Sequence, residues 1–161
     1  MSTPTQRDWP GRRRNVETRL LVIEDNPDHG LLIQNAILQS MPTVTSIVVA
    51  TEAAAVAYLE ECLVDVWKVP KMILLDLYLP DRETGWRVLD QIRAFSGTLG
   101  KLPVVLLSYS TCRADITEAY DRGCSSYLSK PEAVADWVTY LDAIRTYWME
   151  TVTLPDKHRD Q

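Results

Sequence analysis

Five side chains that could do chemistry each lie at the end of a short apolar segment. Glu24 and Asp25 follow the first segment, Asp76 the third and Ser108 the fourth, and Lys130 follows the fifth. If the segments lie side by side, three carboxylates meet in one place, which is costly unless a cation joins them. Carboxylate oxygens, with a backbone carbonyl and water, suit Mg²⁺ rather than zinc or copper. The residue types therefore predict a site for a hard divalent cation.

The same residues could form and hold an aspartyl phosphate. Asp76 can act as a nucleophile toward a phosphoryl donor whose oxygens the cation brings close. Lys130 supplies a compact positive charge for a second phosphoryl oxygen, and Ser108 can donate a hydrogen bond to a third. Each residue alone could equally be a capping or surface residue, so it is their shared position that favours a site.

The apolar segments have the length and composition of strands that are covered on both faces. They are 20–23, 47–50, 72–75, 104–107 and 126–129, of which the last is the least apolar and is expected at an edge. Helical patterns alternate with them, which predicts an α/β fold of βαβ units around a parallel sheet. In such sheets ligands bind at the carboxyl ends of the strands, so the polar residues should meet there.

Cap and turn residues predict where the helices begin and end. The pair Asn26-Pro27 is typical of a helix start, and Thr51 can cap the second helix. A loop over residues 80–85 leads into the third helix, and Gly123 can end the fourth. The last helix is predicted from Val134 to Trp148.

Charge divides the chain into a basic leader and an acidic body. The first 19 residues carry a net charge of +3 and the remainder a net charge of −8. We expect a disordered basic leader over residues 1–17, one domain over 18–149 and a C-terminal tail over 150–161. The arginines at 12–14 could contact nucleic acid or an acidic partner. Because the acidic body repels a phosphate backbone, direct binding of nucleic acid is not expected.

Composition and motifs exclude several other classes of protein. No apolar segment approaches the ~20 residues that span a bilayer, and no segment has the pattern of a signal peptide. Three cysteines without metal-ligand spacing are typical of reduced thiols, so we expect a cytoplasmic protein without membrane contact. There is no GxGxxG or GK[ST] loop for a nucleotide. Neither His29 nor His158 pairs with a strand-end serine or cysteine, as a hydrolase triad requires.

Four segments together resemble the receiver domain of two-component response regulators. They are LVIEDNP at 21–27, ILLDLYLP at 73–80, VVLLS at 104–108 and SYLSKP at 126–131. The resemblance covers about residues 18–149. It implies a flavodoxin-like (βα)5 fold, with a five-stranded parallel sheet of order 2-1-3-4-5 and helices on both faces.

The resemblance also implies roles for the acidic residues. Asp76 corresponds to the phosphoacceptor, and Glu24 and Asp25 correspond to the acidic pair that binds Mg²⁺ or Mn²⁺. The backbone carbonyl of Tyr78 would complete the metal site together with Asp76.

Three further residues match the part of the family pattern that senses the phosphoryl group. Ser108 corresponds to the switch hydroxyl and Tyr127 to the switch aromatic. Lys130 corresponds to the family's active-site lysine, and it is followed by Pro131, a position prone to a cis peptide bond. A phosphorylation-sensitive protein interface is therefore implied.

Other segments narrow the resemblance to single-domain regulators that partner bacterial phytochrome histidine kinases. They are Asn26-Pro27, Asp115-Ile116, Ala119-Tyr120, Tyr147-Trp148 and 152–155. The implied function is to accept a phosphoryl group from such a kinase on Asp76, without turnover of an external substrate. Nothing after residue 149 has the length of an output domain.

The sequence departs from the family pattern at three positions. Gly85 lies nine residues after Asp76, one more than usual, which indicates an insertion in the loop over 80–85. Tyr109 stands where the family has a small residue and could crowd the pocket. Tyr78 is large at the position that tunes access of the hydrolytic water. These departures concern turnover of the phosphoryl group more than its formation.

Tyrosines near the C-terminus indicate an interaction surface. The inner stripe of the last helix is predicted as Trp137, Leu141, Ile144 and Trp148. Tyr140 and Tyr147 then lie on a neighbouring face, where with Tyr120 they could form an exposed aromatic patch typical of interfaces. Alternatively, these tyrosines cover only the edge of their own core. By resemblance, the fourth helix, fifth strand and fifth helix form a homodimer surface.

Two other functions compete with phosphoryl acceptance. A degenerate receiver would bind partners without phosphorylation, but the retained Asp76, acidic pair, Ser108 and Lys130 argue against it. A phosphatase or phosphotransferase with an aspartate nucleophile would need a second acid two residues later. Tyr78 occupies that position.

Overall fold

A five-stranded parallel sheet forms the centre of the computed structural model, which describes residues 17–151. The strands are β1 Thr18–Ile23, β2 Val44–Val49, β3 Met72–Asp76, β4 Val104–Ser108 and β5 Ser126–Ser129. Their order in the sheet is β2-β1-β3-β4-β5, with β5 at an edge. The predicted parallel sheet and the strand order implied by the resemblance are confirmed. The leader and the tail lie outside the described residues, apart from residues 17, 150 and 151.

Five α-helices alternate with the strands. They are α1 Pro27–Ser40, α2 Glu52–Val64, α3 Arg82–Ala94, α4 Arg113–Asp121 and α5 Asp136–Arg145. Short 3-10 segments, Val66–Lys68 and Leu99–Lys101, precede β3 and β4, and a π-helical segment, Thr146–Thr151, follows α5. Within the described range, no helix is both long and apolar enough to cross a membrane.

Alternate strand residues face two separate cores. In β1, Leu21 and Ile23 pack with residues of α2 and α3, whereas Leu20 and Val22 pack with residues of α1 and α5. Every residue of β3 and β4 is buried, as expected for strands covered on both faces. Because helices pack on both faces of the sheet, the carboxyl ends of the central strands are held side by side.

The predicted helix caps are present. The Asn26 side-chain oxygen accepts hydrogen bonds from the backbone N–H groups of Asp28 and His29, at 2.9 and 3.2 Å. Thr51 caps α2 through its hydroxyl oxygen in the same way. After α4, Gly123 has φ +94°, a conformation that favours glycine. These local signals therefore set the boundaries that the sequence indicates.

The third helix begins earlier than predicted. Asp81 caps it through its side chain, so the helix starts at Arg82 and Gly85 lies in its first turns rather than in a loop. A Cβ atom on Gly85 would lie only 1.8 Å from the carbonyl oxygen of Leu77. The absence of a side chain lets α3 pack directly on the segment that follows Asp76.

The last helix is shorter than the predicted Val134–Trp148. At its start it has no side-chain cap, and α5 begins two residues later than expected. At its end, the Thr146 hydroxyl donates to the carbonyl oxygen of Asp142 at 3.0 Å. Such bonds to the preceding turn favour bending of a helix, and here the chain widens into the π-helical segment.

The cis peptide bond among the described residues joins Leu79 to Pro80, not Lys130 to Pro131. It lies in a turn where the N–H of Leu79 donates to the carbonyl of Asp81 at 3.1 Å. Cis proline bonds are typical of tight turns. In this chain that turn follows β3, and the expectation for Pro131 is wrong.

Candidate functional site

Polar residues at the carboxyl ends of the strands surround one cavity of about 290 Å³. It is lined by Glu24, Asp25, Asn26, His29, Asp76, Tyr78, Pro80, Tyr109 and Lys130. Lys130 is held at this edge because its backbone N–H donates to the carbonyl of Ser108 at 2.9 Å. The fold thus brings together the three acids and the lysine that the sequence singled out.

The three acids form a cluster that could hold a metal ion. Glu24, Asp25 and Asp76 each offer a carboxylate oxygen, and these oxygens all lie within 4.8 Å of one another. Glu24 and Asp76 are buried, whereas Asp25 is half-buried. An all-oxygen set beside an open cavity fits Mg²⁺ or Mn²⁺, which keep water ligands. The backbone N–H of Tyr78 donates to Asp76 at 3.3 Å, and its carbonyl as a metal ligand stays a prediction.

Lys130 is the positive charge of the site. Its Nζ donates to Glu24 Oε2 at 2.8 Å and lies 3.4 Å from Asp76 Oδ2. Burial raises the pKa of Asp76 to about 7, the charge of Glu24 adds to this, and Lys130 opposes it. A divalent cation bound to the acids would lower the pKa of Asp76 and keep it ionised, as a nucleophile must be.

The two predicted switch residues meet at Ser110. Ser108 is completely buried, and its Oγ accepts a hydrogen bond from the Ser110 N–H at 3.0 Å. Tyr127 is half-buried, and its hydroxyl donates to the Ser110 carbonyl oxygen at 2.7 Å. Ser108 is not among the residues that line the cavity. The β4–α4 loop therefore contacts both switch residues through the backbone of a single residue, Ser110.

Sequence reasoning missed His29, Ser110 and Asp115. His29 Nδ1 lies 3.3 Å from Lys130 Nζ, and its ring packs edge-on against Tyr109 with centroids 5.7 Å apart. The cap at Asn26 could have placed His29 in the first turn of α1, beside the acidic pair. Asp115 belongs to a segment that supports the resemblance, but no motif gives it or Ser110 a role in the site, because their contacts arise only in the folded chain.

The two tyrosines at which the sequence departs from the family pattern, Tyr78 and Tyr109, both line the cavity. Tyr78 is 40% exposed and Tyr109 is 51% exposed, so they lie at its mouth. The Tyr78 hydroxyl donates to Asp115 at 3.3 Å, and the Tyr109 ring centroid lies 5.4 Å from Lys130 Nζ. Both side chains therefore line the cavity that holds the acids and are also exposed to solvent.

The predicted aromatic patch is only partly exposed. Tyr120 and Tyr147 are half exposed, but Tyr140 packs against the core, edge-on to Trp137 at 5.8 Å. Burial raises the pKa of Tyr140. Tyr140 lies in the regular part of α5, three residues after Trp137 and four before Ile144, and so beside the inner stripe, whereas Tyr147 lies in the π-helical segment. The Tyr120 hydroxyl accepts from the Tyr127 N–H at 3.1 Å and so covers an edge-strand donor.

The fold and the acidic site define a class of protein. The family model of the response regulator receiver domain matches residues 20–142. This chain belongs to the response regulator receiver family, as its motifs and its sheet order indicate.

Within that family, the chain is similar to phytochrome response regulators. It is 31% identical over 137 residues to the response regulator Rcp1 of Synechocystis sp., covering 84% of this chain and 92% of that one. It superposes on the phosphorylated cyanobacterial phytochrome response regulator RcpA with a TM-score of 0.76 and 32% identity, covering 87% and 99% of the two chains. The Mn²⁺-bound form of Rcp1 gives a TM-score of 0.72 at 30% identity, covering 86% and 99%.

A relative whose name refers to methanogenesis rather than to phytochrome shares comparable sequence identity with this chain. The probable methanogenesis regulatory protein FilR2 of Methanothrix harundinacea is 35% identical over 130 residues, covering 81% of this chain and 83% of that one. Identity alone therefore shows the family and does not single out one upstream signal.

Proposed function

We propose that this chain accepts a phosphoryl group from a histidine kinase on Asp76, in a Mg²⁺-dependent reaction, and signals through a protein interface. The observation that carries the proposal is the contact of Lys130 Nζ with both Glu24 and Asp76 inside the acidic cluster. A buried lysine between two carboxylates beside a cavity is positioned to bind the oxygens of a phosphoryl group.

The residues of the cavity divide the proposed reaction between them. An Asp76 carboxylate oxygen attacks phosphorus while the bond from phosphorus to the histidine nitrogen breaks, and that electron pair stays on the nitrogen. Lys130 then binds one phosphoryl oxygen and the Ser108 hydroxyl another. Glu24, Asp25, Asp76 and the Tyr78 carbonyl would hold Mg²⁺ or Mn²⁺. The bound cation would offset the negative charge that the phosphoryl group brings.

The partner follows from the relatives rather than from the site. Rcp1 and RcpA are similar over most of the chain, and RcpA is a phytochrome response regulator. We therefore propose a phytochrome-type histidine kinase as the phosphodonor, acting in the cytoplasm. The test is transfer from a purified kinase of this type, labelled with radioactive ATP. Label should move to the wild-type chain and not to Asp76→Asn, and equal labelling of both would contradict the proposal.

The degenerate receiver is less well supported. A partner-binding module would not need three clustered carboxylates and a buried lysine, which cost desolvation energy without function. Turnover of an external substrate is also not proposed, because Tyr78 occupies the position of the second acid.

The phosphoryl group should be long-lived because Tyr78 and Tyr109 stand at the mouth of the cavity. Hydrolysis needs a water molecule in line with the bond to Asp76, and Tyr78 and Tyr109 line the cavity through which it would arrive. Tyr78→Asn should therefore accelerate loss of the phosphoryl group, followed by intact mass after removal of the donor. Tyr78→Phe is the matched control, since it keeps the ring and loses only the bond to Asp115. Equal or slower decay in Tyr78→Asn would count against shielding.

We propose a homodimer through α4, β5 and α5, with Tyr120 and Tyr147 on the contact surface and Tyr140 beneath it. Both exposed rings offer the amphipathic area typical of interface cores. Ser108 and Tyr127 would couple the phosphoryl group to this surface. The apolar residues 152–155, predicted to extend the contact, lie outside the described residues.

Light scattering should give a mass near twice 18.3 kDa for the wild type. Tyr147→Glu should shift the mass toward the monomer, whereas Val64→Glu on the distant α2 should not, although Val64 is 91% exposed. A wild-type monomer at tens of micromolar, phosphorylated or not, would rule out this dimer.

A further inference from the structure

Asp115 is a buried carboxylate that joins three separate segments. It lies in the first turn of α4 and is only 3% exposed. Its Oδ1 accepts from Arg82 Nη1 at 2.7 Å, and its Oδ2 accepts from the Ser110 hydroxyl at 2.7 Å and the Tyr78 hydroxyl at 3.3 Å. Burial favours protonation, but the hydrogen bonds from Ser110 and Arg82 hold the pKa of Asp115 below its ordinary value. The group is therefore an ionised acceptor for both loops beside the cavity.

The hydrogen bond to the Asp115 carboxylate holds Ser110 in an orientation that also allows its other hydrogen bonds. Its hydroxyl oxygen accepts from the N–H of Cys112 at 3.2 Å, so the hydroxyl proton is directed to Asp115. Its backbone N–H donates to Ser108 Oγ and its carbonyl accepts from the Tyr127 hydroxyl. Moving Ser110 would therefore disturb the contacts of both Ser108 and Tyr127.

We propose that Asp115 is a positioning residue for Ser108. By holding Ser110, it keeps a backbone N–H on one lone pair of Ser108 Oγ and leaves the hydroxyl proton free to bond a phosphoryl oxygen on Asp76. This inference rests on the proposed phosphorylation of Asp76. Asp115 itself touches no reacting atom and acts through Ser110.

Asp115→Asn tests these contacts because it changes the hydrogen-bonding groups of the side chain and not its size. Both carboxylate oxygens of Asp115 face donors, so Asp115→Asn must turn its amide N–H groups toward Arg82 or toward Ser110 and Tyr78. Turned toward Arg82, the amide N–H opposes another donor; turned toward Ser110 and Tyr78, it makes their hydroxyls accept instead of donate. In both orientations the charged acceptor is lost, so the link to Ser110 weakens without a change in side-chain size. Glu118→Gln is the matched control, because Glu118 also lies in α4 but pairs with the surface residue Arg122.

The first readout needs no phosphorylation. In the unphosphorylated protein, the Ser110 amide should be protected from hydrogen exchange by its bond to Ser108. Asp115→Asn should reduce this protection. Ser110→Ala should also reduce the protection of the amide at residue 110, because it removes the hydroxyl link to Asp115 and keeps the backbone donor. Glu118→Gln should leave it unchanged. Unchanged protection in Asp115→Asn would overturn the positioning role, whether or not the wild type can be phosphorylated.

The second readout separates positioning from a merely structural role. Phosphorylation by acetyl phosphate at saturating Mg²⁺ should be about tenfold slower in Asp115→Asn than in the wild type. In a Ser108→Ala background, the same substitution should change the rate by less than about twofold, because the group that Asp115 positions is gone. Equal losses in both backgrounds would overturn the inference. A wild type that takes up no phosphoryl group would overturn the proposed function instead, and the exchange result would still decide the positioning role.

Discussion

Replacing Lys130 by methionine should slow phosphorylation of Asp76 by about a hundredfold or more. Lys130 forms an ion pair with Asp76, with Nζ 3.4 Å from Oδ2. Methionine keeps much of the side-chain volume but cannot bind the phosphoryl oxygens, so charge that develops during transfer is no longer stabilised. The rate is measured by intact mass against time with acetyl phosphate at saturating Mg²⁺.

The control for this substitution is Lys68→Met. Lys68 forms an exposed pair with Glu61, away from the cavity, and its removal should leave the rate unchanged. Because Lys130→Met also leaves Glu24 without its closest partner, circular dichroism in Mg²⁺ must show a folded protein. A folded Lys130→Met variant that is phosphorylated as fast as the wild type would contradict the assigned role.

Replacing Asp25 by asparagine should abolish the stabilisation of the protein by Mg²⁺. A ligand that binds only the folded state at a hundred times its Kd stabilises it by about 2.7 kcal/mol, which shifts the melting midpoint of a chain of this size by about 5 °C or more. Asp25→Asn removes one of three clustered carboxylates, so the shift should disappear. Without metal the variant should be more stable than the wild type, because repulsion among the acids is weaker.

Asp28→Asn is the matched control for the metal experiment. Asp28 lies three residues further along in α1 and does not belong to the acidic cluster, so its variant should keep the full Mg²⁺-dependent shift. A full shift in Asp25→Asn would show that the metal binds elsewhere.

The sheet and the central cluster could be predicted from the sequence because both follow from short-range patterns. Apolar segments alternate with helical ones, and parallel strands bring their carboxyl ends to the same edge. Asp76 and Lys130 therefore meet although 54 residues separate them in the sequence. Their position at strand ends places both at one edge of the sheet, and the strand order implied by the family resemblance places β3 and β5 on either side of β4.

The contacts around Asp115 could not be predicted, because they depend on how loops fold over the sheet. An aspartate in the first turn of a helix is ordinarily a surface residue that favours the helix terminus. Here the β3–α3 and β4–α4 loops bring Tyr78 and Ser110 onto it and bury it. Tyr140, by contrast, was misjudged although it lies three residues after Trp137 and four before Ile144, where regular helical spacing puts it beside the inner stripe of α5.

Intact mass after incubation with acetyl phosphate and Mg²⁺ tests the central claim most directly. The wild type should gain the mass of one phosphoryl group, and the gain should be absent in Asp76→Asn and when the metal is chelated. No gain in a folded, Mg²⁺-saturated wild type, or an equal gain in Asp76→Asn, would contradict phosphoryl acceptance at Asp76.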